Sequence, residues 1–336
     1  MKKAWICVLL TAVLLLVGQP QVRESISGAI RSVLPANETA EEPSREPLFE
    51  AAEPAPTDTR NVTLYYRFAQ TDVLGMERAE LETGREESDA RLIVEQLVEG
   101  PDAAHGRLSG VFPQGTKVLS VTEDEMTVFV TLSEEFLGRP NGAPADWEDL
   151  ALWQEEATLR RWLAAQSIVC SLTESGRCQR VQLYTASAED GAPHRIPLVY
   201  FDLDVTDPAV VLAASSRDES AILTPQRAMQ MILDAWQRRD WERLHVLLCA
   251  ADGESLPTLS AFEAQMRSAD VTLLTAEPSA GSVDVSGQNA TIMLDGAVRS
   301  KAGGDRRIIR QSVPLVRYAD NWAMRMDTLL TLMGVE

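Results

Sequence analysis

The sequence predicts an α+β protein: two small α+β domains follow an N-terminal membrane helix and a linker. Three observations carry that prediction. Met1-Lys2-Lys3 opens onto an uninterrupted apolar run from Ala4 to Val17. Residues 35–60 are rich in Glu, Pro, Ala and Thr and nearly devoid of large apolar side chains. The remainder holds two blocks in which helical and strand periodicities both occur. With 336 residues, 45% of them apolar, each block can bury a core of ordinary size.

Positive residues ahead of an apolar core mark an export signal, and Lys2 and Lys3 hold the amino end in the cytoplasm. The run is shorter than the roughly 20 residues that span a bilayer, as in a signal peptide. Yet Leu16-Val17-Gly18 followed by Gln-Pro makes a poor cleavage site, as in a retained anchor. Both readings of residues 1–20 stand. The rest of the chain is then expected on the extracytoplasmic face of the cell membrane, or exported if the signal is cleaved. Cys7 lies near the start of the run and cannot be the acylated cysteine of a lipoprotein. Residues 21–60 read as a juxtamembrane segment and an acidic, Pro-rich linker, too poor in apolar groups to order itself.

The first domain, residues 61–205, opens with a strand at Asn61 to Phe68 and a weaker one at Arg78 to Thr83. Ser88 caps a helix whose Ala90, Ile93, Val94 and Leu97 share one face, and Gly100-Pro101 stops it. Thr116 to Val121 and Met126 to Leu132 form an antiparallel hairpin about a short acidic break, with Met126, Val128, Val130 and Leu132 on one face. A long helix from about Trp147 to Leu172 and a strand from Val181 to Thr185 follow. The order describes helices covering one face of a small mixed sheet.

Several of these residues together resemble the GerM (sporulation and spore germination) domain. They are Leu64-Tyr65-Tyr66, Gly100-Pro101, Pro113-Gln114-Gly115-Thr116, Val128 to Ser133, Ser167-Ile168-Val169 and Val181. The resemblance covers about 61–190 and implies an exported, membrane-tethered protein of a spore-forming bacterium, with a domain similar to the ring-building modules of secretion-type assemblies. The family is not known for catalysis, so it implies no active-site residue. The hairpin turn has Asp124-Glu125 where Asp-Gly is common, and one such domain is evident where the sporulation protein has two.

The second domain, residues 218–336, starts with a helix capped by Thr224 with Pro225 at its first position. A second helix is expected at Trp241 to Leu248, and a third behind a capping box of Ser260 and Glu263. Strands are expected at 271–276, 282–286, 290–298, 306–318 and 322–328. Helices followed by a long antiparallel meander resemble the NTF2-like fold, in which a cone-shaped, curved antiparallel sheet wraps the helices.

The net charge of -19, from 50 acids against 31 bases, argues against nucleic acid as a partner. No dinucleotide, P-loop, zinc-protease or nucleophile-elbow motif occurs. Of the three histidines, His105 and His194 fall in loops and His245 in an apolar helical run. Asp234 and Asp240 lie near the first helix of the second domain, where a cap or a solvated face accounts for each, and Trp236, Trp241 and Trp322 read as core. Cys170 and Cys178 flank a short turn and are candidates for a disulfide worth about 2–3 kcal/mol; two unpaired thiols are the alternative. Cys249 reads as a buried thiol.

No catalytic, cofactor-binding or metal-ligating residue is therefore expected. The reading is a non-enzymatic cell-envelope protein that presents interaction surfaces in sporulation or germination. Its partners would be unidentified envelope or sporulation proteins and the membrane through the N-terminal helix, with self-association into a homo-oligomer also in view. The alternative is an envelope sensor that binds a small molecule or peptidoglycan fragment in a C-terminal pocket.

Overall fold

Burial of Leu64, Tyr65, Tyr66, Arg67 and Phe68 on both faces makes β1 (Asp58–Phe68) the strand on which the folded chain is assembled. The computed structural model describes residues 58–83, 88–187, 191–251, 253–279, 281–301 and 303–335. The apolar segment 1–20 and the linker as far as residue 57 lie outside the described residues, and residues 58–60, expected in the linker, already belong to β1. Among the described residues no helix is long and apolar enough to cross a membrane.

β1 pairs antiparallel with β2 (Leu74–Thr83) from Asp58 to Arg67, and its last two residues pair with β3 (Leu108–Ser109). Helix α1 (Asp89–Glu99) starts where its cap predicts: Ser88 Oγ accepts the Arg91 N–H at 3.3 Å. Gly100, at φ 113, ends it in a conformation that glycine supplies without steric cost.

The hairpin forms from β4 (Val118–Asp124) and β5 (Thr127–Ser133). Val128, Val130 and Leu132 are buried as their alternation predicts, but Met126 lies in the two-residue turn and is 41% exposed. Glu125 in that turn holds φ 50. Helix α2 (Ala151–Thr173) then crosses over to β6 (Arg180–Ala186), parallel to β5, and β7 (Pro193–Arg195) closes the row β4-β5-β6-β7. A 3-10 turn at Trp147–Asp149 stands where the start of the long helix was expected.

Here the strands divide into two sheets, against the single small sheet expected. The cause is α2. Its residues 163–172 are buried all round, and two serines among them take the place of a strand beside β1. Ser167 Oγ donates to the Tyr65 carbonyl at 2.6 Å and Ser171 Oγ accepts the Tyr65 N–H at 3.1 Å. Every buried backbone group needs a partner, and a helix hydroxyl supplies it here. The hairpin is thus displaced to a separate sheet on the far side of α2.

In the second half, α3 (Pro225–Arg238) begins at its Thr224 cap as expected, with Thr224 Oγ1 accepting the Arg227 N–H at 3.2 Å. Helix α4 (Trp241–Val246) is shorter than expected, because Leu248-Cys249 leaves it to form β8, parallel to the last strand. Thr258, not Ser260, caps α5 (Leu259–Ala269): its hydroxyl takes the Ala261 N–H two positions earlier, and Glu263 instead pairs with Arg267.

The meander follows as β9 (Val271–Pro278), β10 (Ser282–Val283), β11 (Asn289–Ser300), β12 (Gly304–Tyr318) and β13 (Asn321–Arg325). Together with β8 they form a six-stranded sheet. A bulge after Leu294 brings Gly296 so close to β9 that a Cβ there would fall 2.5 Å from the Thr275 carbonyl oxygen. Residues 326–328, expected as strand, start a final helix, α6 (Met326–Met333), which buries Leu329, Leu332 and Met333.

The described residues form one compact unit, and an apolar cluster runs from Leu64 in β1 to Met333 in α6. The two sequence blocks are clipped together by the β12–β13 hairpin. Its loop residues Ala319 and Asp320 both have positive φ, the geometry of a two-residue turn matched to strand twist. That turn aims Asn321 at the open edge of β2. Asn321 Oδ1 accepts the Met76 N–H at 2.8 Å, and its Nδ2 donates to the Met76 carbonyl at 3.0 Å. The amide thus substitutes for a neighbouring strand, and a Cβ on Gly75 would sit 2.4 Å from Asn321 Oδ1.

Candidate functional site

The open edge of the hairpin sheet is the candidate site. β4 is a terminal strand of that sheet, and Leu119, Ser120, Thr122, Glu123 and Asp124 are exposed. An edge strand offers unpaired N–H and C=O groups to an incoming segment. Its distal end is acidic: Glu123, Asp124 and the turn residue Glu125 follow one another, with Glu123 also accepting the Ser88 hydroxyl at 3.1 Å. Beside the turn lies a groove of about 400 Å³, floored by Val62, Ile93, Met126, Val128 and Leu172 and flanked by Arg60 and Arg177. Strand edge, acidic tip and apolar groove adjoin one another on the first half.

Cys178 lines this groove, but Cys170 does not, and the two form no disulfide. The two thiols have different neighbours: Cys178 Sγ donates to the Arg180 carbonyl at 3.0 Å, whereas Cys170 faces Arg217 and Asp218. Burial pushes the Cys170 thiol up to about 12, so it stays protonated and unreactive at neutral pH. Cys249 is buried in β8.

The other residues singled out from the sequence fall into structural roles. His245 is half-buried, with Nε2 2.9 Å from the Pro257 carbonyl and its ring 5.3 Å from that of Phe262. His194 lies in exposed β7, and His105 sits in the loop before β3. Trp236 is buried with its Nε1–H donated to the Val271 carbonyl at 3.2 Å, and Trp241 and Trp322 are core residues. Asp240 caps α4 by accepting the Arg243 N–H, and Asp234 accepts from Gln230. The two aspartates nevertheless line one cleft, between α3, α4 and the β1–β2 turn.

Sequence reasoning missed the clip at Asn321 and two buried ionic groups. Glu77 on β2 is buried, and desolvation raises its pKa while the Asp102 N–H, donated to Oε2 at 3.1 Å, opposes the rise. Arg67 is buried at the end of β1 and pairs with Glu156 of α2. A charge standing among the apolar residues Leu64, Tyr65, Tyr66 and Phe68 at the end of the strand was the available signal.

Residues 63–189 match the family model Germane, described as sporulation and spore germination. Two solved structures from Bacillus subtilis are similar to the chain. The tandem GerMN domains of the sporulation protein GerM share 17% identity over 48% of this chain and 51% of that one, with a TM-score of 0.27. The first GerMN domain of the same protein shares 18% identity over 40% of this chain and 93% of that one, with a TM-score of 0.24. The chain therefore spans about half the length of the tandem structure. No curated protein matches it. The matched segment 63–189 carries the β4 edge and most of the groove beside it, and is similar to the Germane family described as sporulation and spore germination.

Proposed function

We propose that this is a non-enzymatic cell-envelope protein of a spore-forming bacterium that works in sporulation or germination by docking a partner on its Germane domain. The single observation that supports the reading is the open β4 edge with its acidic tip, placed within the matched segment. The partner fitted to it is a basic, extended segment of another envelope protein, added as a fifth strand. Main-chain hydrogen bonds would give affinity, and the acids at the tip would set its direction. The N-terminal apolar run would hold the protein at the extracytoplasmic face of the membrane, raising the local concentration so that a weak contact suffices. The helix-then-meander order of the second half supports an NTF2-like module there, clipped to the first half by Asn321.

Deleting the gene in the producing organism tests the process. Heat-resistant spore counts or germination rates are expected to fall at least tenfold. Sporulation and germination both at wild-type levels would contradict the proposal.

A further inference from the structure

Among the described residues Glu77 is the only acidic side chain that is buried, 5% exposed, and it has no ion-pair partner there. The Asp102 N–H donates to its Oε2. Arg67, the buried base on the neighbouring strand, is by contrast paired with Glu156. Glu77 stands between Met76, which Asn321 clips, and Arg78, whose N–H donates to Asp320 Oδ2 at 3.2 Å. The carboxylate therefore sits at the seam between the two halves.

The groups around it are mostly acidic. Asp102 and His105 reach it from the loop after α1, and Asp320 from the β12–β13 turn. Glu99 at the end of α1, and Arg78 and Glu80 of β2, line the same cleft as Glu77. Arg78 pairs with Asp320 at 3.9 Å. Tyr66 of β1 completes the surround, but its hydroxyl is donated to the Gln96 and Gly100 carbonyls. A carboxylate taken out of water without a cation is costly, and such a group neutralises by taking up a proton. Nearby carboxylates push the same way. Burial, the largest influence, raises the Glu77 pKa; Asp102 and Asp320 add to the rise, and the Asp102 N–H and His105 oppose it.

We propose that Glu77 is a pH-sensitive latch on the seam, protonated when the Asn321 clip is tight and ionised when it loosens. The folded chain holds the Glu77 proton more firmly than the unfolded chain does. Its contribution is thus complete below about pH 4.3, the ordinary glutamate value, and is lost as pH rises through the raised one. Ionised Glu77 faces Asp320 across the seam, so its charge acts on the turn that aims Asn321 at Met76. The latch does not depend on the β4 edge.

Carboxyl carbon NMR of the full chain, titrated from about pH 3 to pH 8, follows Glu77 directly. A midpoint above about 4.3 is expected, and a midpoint at or below that value would overturn the proposal. Hydrogen exchange at the Met76 amide, corrected for the intrinsic pH dependence of exchange, reads the clip itself. Its opening equilibrium is expected to rise with pH, by about tenfold for each unit that the Glu77 midpoint lies above the ordinary value. Glu77→Gln, which keeps the shape and an acceptor for the Asp102 N–H, is expected to abolish that rise. Glu80→Gln, at an exposed position of the same strand, should retain it. A rise that persists unchanged in Glu77→Gln would overturn the latch.

Discussion

Replacing Arg67 by methionine is expected to destabilise the folded unit by about 3–5 kcal/mol, the cost typical of removing one partner of a buried ion pair. The methionine keeps most of the stem and its packing, so the loss reports the charge and its hydrogen bonds. Arg67 Nε donates to the Thr71 carbonyl at 2.7 Å, Nη2 to the Gln70 carbonyl at 3.1 Å, and Nη1 to Glu156. It therefore fastens the β1–β2 turn, in which Ala69 and Gln70 both hold positive φ, to helix α2. Without it, two turn carbonyls lose their donor, and Glu156 retains only Arg160. Urea unfolding should show a lower midpoint with an unchanged slope. A shift below about 0.5 kcal/mol, the range of ordinary surface substitutions, would show that solvent and Arg160 already satisfy these groups.

Asn321→Ala is expected to cost about 1–3 kcal/mol, because the part-buried Met76 N–H and carbonyl both lose their partner, the buried Asn321 amide. The effect should also be local in a telling way. Hydrogen exchange at Met76 is expected to accelerate relative to Leu64 and Ile292, which lie deep in the two halves. Arg78 pairs with Asp320, and Arg317 donates to the Asp320 carbonyl at 2.6 Å, but both rest on the same turn and hold less without the amide. Unchanged exchange at Met76 would show that the apolar cluster alone fixes the seam.

Local pattern made much of the fold legible. Ser88 and Thr224 identify two helix starts, and the alternation of Val128, Val130 and Leu132 identifies the buried face of β5. What stayed hidden depends on partners far apart in sequence. Ser167 and Ser171 look like ordinary helix serines until they meet Tyr65, more than 100 residues away, and that meeting splits one sheet into two. Asn321 reads as a turn residue, yet its amide completes the edge of β2, 245 positions earlier. Thr258 outcompeted the Ser260–Glu263 capping box because a cap depends on where the chain enters the helix, which residue type does not reveal. The cleft lined by Asp234 and Asp240 was illegible for the same reason: its lining comes from β1, α2, α3 and α4.

The central claim is that the β4 edge receives a partner strand, and complementation of the deletion strain tests it most directly. In the alternation set by the two-residue turn, Glu123 lies between the hydrogen-bonded pairs Asp124–Thr127 and Thr122–Phe129, so its N–H faces away from β5. Glu123→Pro removes that outward donor, and the double variant E123K/D124K keeps the backbone while reversing the charge of the tip. Both are expected to fold, with unfolding midpoints near wild type, and to leave spore yield or germination at the level of the deletion. Full restoration by both variants would contradict the account.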